Sequence, residues 1–302
     1  MDIFITGGTG FVGSALCLAL VKAGHGVTVL SRSARSAESL PQEVGHTIGD
    51  PGQPGSWQEE AAKCQGFVNL AGASIFGRWD DNYKKLLRSS RIQTTRNLVD
   101  AIASRESQTP ATLISTSAVG YYGFCGDQEL DESSPPGDDF LAQLCLDWEA
   151  EALRAQESGA RVVLTRFGIV MGSGGGALGQ MLPIFKKGLG GRLGSGRQWF
   201  SWIHQADLVR ALLHCLENPD LTGPVNCTAP QPVTNSDLTK TLGKVLGRPA
   251  FLPAPGFAVK LMLGEFGSVL LEGQRVIPSK LEKTGFSFLF PELKAALEDL
   301  LA

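Results

Sequence analysis

Near the N-terminus a short apolar run, Ile3 to Ile5, breaks into Thr6-Gly7-Gly8-Thr9-Gly10-Phe11-Val12-Gly13 and then into an apolar-periodic helix. A buried strand that turns at once into a helix leaves backbone N–H groups unpaired. It also faces the positive end of the helix dipole outward, and both features favour an anionic pyrophosphate. The glycines, spaced G-x-x-G-x-x-G, have separate steric tasks. Gly7 permits the tight turn, Gly10 lets backbone approach the phosphates, and Gly13 lets the helix lie close on the sheet. Thr6, Gly7, Gly10, Phe11 and Val12 are therefore candidate phosphate-binding residues. Strand–glycine–helix turns also occur as plain connections, so the surrounding sequence has to decide.

That context is a complete βαβ unit. The helix Gly10–Ala23 places Leu16, Leu20 and Ala23 on one stripe, Gly24-His25-Gly26 stops it, and Val27–Leu30 restarts a strand. A protein selecting NAD usually carries an acid at the end of this second strand, for the ribose hydroxyls. Here the chain reads Leu30-Ser31-Arg32-Ser33-Ala34-Arg35. Ser31, Arg32 and Arg35 suit a 2′-phosphate, because a guanidinium forms paired, charge-assisted bonds to it and an acid would repel it. The expected cofactor is NADP(H). The competing reading, solvated loop charges, applies more to Arg35 than to Arg32, which lies nearer the strand end.

Gly45–Asp50 and Gly66–Gly72 read as the third and fourth strands. Ligands sit beyond the carboxyl ends of parallel strands, which places Asp50 near the adenine amine and Asn69, Leu70, Ala71 and Gly72 along the ribose and nicotinamide. Asp50-Pro51 also reads as ordinary turn chemistry. A long helix, Asp81–Ser104, carries Leu86, Leu87, Ile92, Leu98, Val99 and Ile102 inward. On its edge Arg91 calls for an anionic partner, either the cofactor or a neighbouring acid. A fifth strand, Leu113–Ser117, ends in the polar and aromatic cluster Ser117–Gly123.

The expected fold is α/β: a Rossmann-like doubly wound parallel sheet with a smaller C-terminal substrate-binding domain. Residues 1–170 form the dinucleotide-binding domain, with 205–228 returning to it, and 171–302 form the substrate and cap region. The glycine runs 172–176 and 188–196 suggest that Leu178–Trp202 leaves the sheet to cover the cleft, as a mobile loop or a linker. Helical segments near Ser236–Gly247 and Gly256–Leu271 suggest a small cap. Among 302 residues the net charge is -3 with no basic run, which gives no electrostatic case for nucleic acid or a membrane as partner. Six cysteines without C-x-x-C spacing and four scattered histidines support no metal cluster. The first strand begins at residue 2, where a cleaved leader would destroy the cradle, so a cytoplasmic location is expected.

With these motifs in view, the chain resembles the extended short-chain dehydrogenase/reductase superfamily, and within it the atypical branch of epimerase family proteins. Ser89-Ser90-Arg91-Ile92-Gln93-Thr94-Thr95, Trp148-Glu149, Arg166–Gly172, Trp202–Leu208 and Val276-Ile277-Pro278 match that branch in order. The resemblance implies an NADP-binding Rossmann-like domain, a C-terminal domain for a small-molecule substrate, and a homodimer built on two helices. It also exposes a departure. The superfamily pairs a serine after the fifth strand with Tyr-x-x-x-Lys on the next helix, where lysine lowers the tyrosine pKa. Here Phe140-Leu141-Ala142-Gln143-Leu144 stands in that segment, and no one-residue shift restores both residues.

Ser117 matches the superfamily serine, with one residue inserted before Tyr122, which matches a structural Val-Tyr-Gly turn. Tyr121 is then the candidate acid/base. Arg166 and Arg197 are candidates for an anionic substrate group. His204 is another substrate candidate, or else it orients Asp207 and backbone at a helix start. The leading function is an NADP(H)-binding oxidoreductase or epimerase-like protein acting on a small polar, nucleotide-linked substrate. The alternative is a non-catalytic NADP(H)-binding redox sensor.

Overall fold

The structure, a computed structural model, describes residues 1–107 and 109–302. Its centre is a seven-stranded sheet made of β1 (Asp2–Thr6), β2 (Gly26–Ser31), β3 (Gly45–Ile48), β4 (Gly66–Asn69), β5 (Thr112–Ala118), β7 (Arg161–Phe167) and β11 (Gly223–Cys227). Every pairing in it is parallel, in the order β11-β7-β5-β4-β1-β2-β3. The chain runs outward from β1 to β3 and then crosses back to β4, so the strand order reverses between β1 and β4. The carboxyl ends of those two strands frame the crevice where doubly wound sheets bind ligands.

Both faces of the sheet's centre are covered, which is why β1, β4 and much of β5 and β7 read as near-continuous apolar runs. Side chains alternate across β1. Ile3 and Ile5 pack with Leu16 and Leu20 of α1 (Phe11–Lys22) and Leu208 and Leu212 of α7 (Gln205–Glu217). Phe4 faces the other way, into a layer with Trp57 of α3 (Trp57–Ala62), Leu98 of α4 (Asp81–Ala103) and Ala152 of α5 (Phe140–Leu153). A four-residue α2 (Ala34–Ala37) follows β2. On α4 the inward side is more polar than its leucines suggest: Leu86 is exposed, while Thr94, Thr95 and Asn97 are buried, the last two hydrogen-bonded.

The C-terminal part is built on α6 (Gly176–Lys186), α8 (Asn235–Leu246) and α12 (Leu293–Leu301), whose Phe185, Leu238, Leu242 and Leu297 form a core with Trp202. Short ladders tie it to the sheet region: β6 (Glu129–Leu130) with β13 (Arg275–Val276), β8 (Ile169–Gly172) with β10 (Trp202–His204), and β9 (Trp199–Phe200) with β12 (Val233–Thr234). The segment 178–202 thus begins as a helix instead of a loop. The helix expected over Gly256–Leu271 is two, α9 (Gly256–Leu263) and α10 (Glu265–Leu271), broken at Gly264, where φ is +62°. A short α11 (Ser279–Lys283) carries Leu281 into the sheet core. Among the described residues no helix is long and apolar enough to cross a membrane.

Candidate active site

The β1–α1 turn is held by backbone and by one polar relay. Gly7 has φ +73°, and a Cβ there would lie 2.8 Å from the backbone of Leu70 and Ala71. At Gly13 a Cβ would lie 2.2 Å from the Gly7 carbonyl, so this glycine packs α1 onto its own loop more than onto the sheet. Gly10 takes no side-chain cap, and the first-turn N–H groups of Phe11 and Val12 have no acceptor among the described residues. That is the donor set an anion would take. Thr6 departs from expectation. Its buried hydroxyl donates to Asn69 Oδ1 at 2.7 Å, and the Asn69 amide donates to Thr95 at 2.8 Å, so Thr6 locks β1 to β4 and is not free for a phosphate.

Phe11 reaches the cleft through its N–H alone. Its ring turns into the glycine run after β8, where a Cβ at Gly172 or Gly175 would lie 2.5–2.6 Å from it. Gln205 Nε2 donates to the Phe11 carbonyl at 2.6 Å. The run is neither linker nor loose loop: Met171 bridges Gly176 and Gly172 bridges Gly175 in a tight turn that braces α1. A cavity of about 800 Å³ opens beside this junction, lined by Thr9, Gly10, Ser14, Ser39 and Gly174 among others.

At the end of β2 the Ser31 hydroxyl is buried and donates to the Ser33 carbonyl, which removes it from the expected phosphate contacts. Arg32 and Arg35 are exposed and have no acidic partner among the described residues. Asp50 accepts the Gly52 N–H at 2.9 Å, the turn bond that was the competing reading; its second oxygen makes no hydrogen bond with any described residue. Arg91 has no acidic partner among the described residues. It donates to the Leu87 and Ala73 carbonyls, both at 3.1 Å, and lies over the Trp148 ring, so it pins the loop Leu70-Ala71-Gly72 that follows β4. Burial lowers its pKa.

The cluster after β5 is organised by an acid that the sequence reading left without a role. Glu149 on α5 receives Arg166 Nε and Nη2, both at 2.8 Å, and the Ser117 hydroxyl at 2.6 Å, with all three residues buried. Burial opposes the Arg166 charge, but bonding and attraction from Glu149 outweigh it and raise the guanidinium pKa. Arg166 also donates to the Tyr122 hydroxyl, which donates to Asn226 at 2.7 Å. Burial pushes Tyr122 up to about 12, in keeping with a structural tyrosine. Two expectations therefore change. Ser117 is committed to Glu149 and faces away from solvent, and Arg166 is neutralised inside the protein and does not await an anionic substrate.

Tyr121 stands apart. Its ring lies face-on to the Arg166 guanidinium, 3.4 Å from Cζ to the ring centre, and edge-on to Tyr122. It is half-buried, and its hydroxyl makes no hydrogen bond with any described residue. On α5, the face turned to this cluster carries Leu141, Cys145 and Glu149. Leu141 packs at Gly120, and the Cys145 thiol reaches the Ala118 carbonyl. Phe140 and Leu144 point instead at Trp79, Leu87 and Phe266. The facing pair four residues apart is thus Leu141 and Cys145, one residue later than expected, and neither supplies a cation. Burial pushes the Cys145 thiol up to about 12.

His204 is not a cleft residue. Its Nδ1 accepts the Ala206 N–H and caps α7, its ring lies against Phe290, and Nε2 is 3.3 Å from the Asp299 carboxylate without a hydrogen-bond geometry. Burial lowers its pKa. Asp207 accepts the N–H groups of Leu289 and Phe290 instead of meeting His204. Arg197 is exposed, with no side-chain partner among the described residues.

Residues 3–227, which contain the glycine turn, the sheet and the Glu149 cluster, match the NAD dependent epimerase/dehydratase family. The chain belongs to that family. Residues 254–300 match a second family, described as a domain of unknown function, DUF1731. Among epimerase-family relatives, the chain is 41% identical to human epimerase family protein SDR39U1 over the whole of both chains. It is 42% identical to the chloroplastic SDR39U1 homolog of Arabidopsis thaliana, over 100% of this chain and 87% of the relative. The crystal structure of the human protein with NADPH superposes with a TM-score of 0.87 at 40% identity, covering 99% of each chain. A Thermus thermophilus UDP-glucose 4-epimerase shares the fold, with a TM-score of 0.80 at 20% identity. Glu149, Thr95, Gln205 and Asn226 hold the turn and the cluster together by hydrogen bonds, and residue spacing assigns none of them a role. A signal existed for Glu149, since an arginine in a strand as apolar as Val162–Phe167 requires a buried acid.

Proposed function

We propose that the chain binds NADP(H) across the carboxyl ends of β1, β2 and β4, and that it is an oxidoreductase or epimerase-like enzyme for a small polar, nucleotide-linked substrate. The observation that carries the cofactor reading is the pair of exposed, acid-free guanidiniums of Arg32 and Arg35 after β2, beside an uncapped α1 N-terminus. The NADPH complex of the human relative supports it. Replacing Arg32 by alanine is expected to weaken NADPH about 10- to 100-fold, the worth of a charge-assisted phosphate contact, with NADH unchanged. Parallel fluorescence titrations read this directly. Equal losses for both nucleotides would remove the 2′-phosphate contact, and no binding of either would remove the cofactor.

When bound, the nicotinamide supplies hydride transfer, and the protein supplies orientation and a proton site. For that site the reading favours Tyr121, whose hydroxyl is unspent while Ser117 and Arg166 are bonded to Glu149 and the Tyr122 hydroxyl to Arg166 and Asn226. Tyr121→Phe is expected to lower turnover about 10²- to 10⁴-fold with NADPH affinity intact. A panel of small carbonyl compounds and nucleotide-linked sugars provides the assay, with Ser117→Ala as comparison. Retained turnover in Tyr121→Phe excludes the assignment. The second reading, a redox sensor, is favoured by Leu141 and Cys145 on the α5 face. It predicts no turnover, together with different affinities and conformations for NADPH and NADP.

A further inference from the structure

The C-terminal part carries an apolar and cationic surface that net charge conceals. Phe251, Phe257, Leu261 and Met262 are each 73–78% exposed, and Ile184 and Leu189 are each more than half exposed. Single exposed apolar residues are ordinary, but a run of this size is not. Two stretches supply it. Residues 184–192 and 244–264 lie side by side: Leu252 N donates to the Gly190 carbonyl, Ala254 N donates to that of Arg192, and Pro249 packs at Gly188.

These two stretches contain Lys186, Lys187, Arg192, Lys244, Arg248 and Lys260 and no Asp or Glu, in a chain whose net charge is -3. All six are exposed and lack an acidic partner among the described residues. The nearest acid in sequence, Glu265, is tied to Lys84 on α4. Along α9, Phe257, Lys260 and Leu261 share one face at i, i+3 and i+4.

We propose that this surface docks on an anionic lipid membrane, with the phenylalanine and leucine side chains entering the headgroup boundary and the lysines pairing with lipid phosphates. The remaining acids do not oppose this, because charges beyond about 8 Å are screened at physiological salt, so the local patch governs contact. A second copy is disfavoured by charge. A two-fold interface sets the patch against itself, and six cations would then meet six cations. The docking leaves the crevice at β1 and β4 to its own ligand and does not depend on the proposed cofactor.

The test is flotation of the full chain with vesicles of phosphatidylcholine, alone or mixed with phosphatidylglycerol. Partition into the mixed vesicles is expected to exceed that into phosphatidylcholine at least about tenfold and to fall as salt is raised. Lys186→Glu with Lys187→Glu, and separately Phe257→Ser with Leu261→Ser, should each reduce it about tenfold with the melting temperature unchanged. Equal binding to both vesicles overturns the proposal, as does no binding to either. A light-scattering mass of a dimer that Phe257→Ser with Leu261→Ser converts to monomer, without vesicle binding, assigns the face to self-association instead.

Discussion

Glu149→Leu is expected to destabilise the fold by about 3–5 kcal/mol, the typical loss when one member of a buried ion pair is removed. The cause lies in what remains. Arg166 is 3% exposed, and without Glu149 its charge keeps a hydrogen bond to the Tyr122 hydroxyl and the faces of two tyrosine rings, none of them anionic. The Ser117 hydroxyl loses its acceptor as well. Since whole domains are stable by about 5–15 kcal/mol, the single variant should unfold at a much lower urea concentration. The double variant Glu149→Leu with Arg166→Met removes both charges and should recover most of the loss, because apolar replacement of a complete buried pair is often neutral. A double-mutant cycle from urea midpoints measures the coupling. If the double variant is no better than the single, the network owes its stability to packing and not to charge pairing.

Gly13→Val is expected to abolish useful cofactor affinity, a loss of about 100-fold or more, equivalent to about 2.8 kcal/mol. A Cβ at this position would lie 2.2 Å from the Gly7 carbonyl and 2.7 Å from Gly8 Cα, both backbone atoms that no side-chain rotation can move. Relief requires α1 to back away from its loop, which displaces the N–H groups of Phe11 and Val12 from the crevice. Overpacking of this kind also lowers stability by about 1–3 kcal/mol. Gly179→Ala on α6 is the matched control: a Cβ there meets nothing within 4 Å, so stability should hold or rise slightly with NADPH titration unchanged. If Gly13→Val binds NADPH as tightly as the parent, the cofactor does not rest on the α1 N-terminus.

The cradle and sheet were legible because their signals are local. The Gly7 turn, the uncapped α1 start and the succession of strands each depend on a few consecutive residues. Legibility failed where a side chain's partner lies far along the chain. Thr6 and Asn69, and Glu149 with Arg166, are such pairs, and each reassigned a residue that sequence spacing had offered to a ligand, while Gln205 holds the Phe11 carbonyl and leaves its N–H to the crevice. The glycine run 172–176 failed for the same reason: its lack of side chains reads as looseness until the Phe11 ring is seen to fill the space. On α5 the error was angular. One residue turns a helix by about 100°, so choosing 140 and 144 over 141 and 145 selected the wrong face.

The sequence by itself determined the doubly wound order of elements, the position of the phosphate-binding turn, the free arginines after β2 and the loss of the Tyr-x-x-x-Lys pair. The order of elements and the turn follow from backbone sterics and apolar periodicity, which act over one turn of helix or a few residues of strand, whereas the missing pair shows only against the family resemblance. The tertiary structure decided which polar groups remain for a ligand once the protein has satisfied its own, because most buried donors and charges take a partner at folding and that partner is set by packing. It also decided where charge accumulates. Six cations spread over two distant stretches show no long run in the sequence, and the stretches that carry them are joined only because residues 188–194 and 249–256 pair along their backbones.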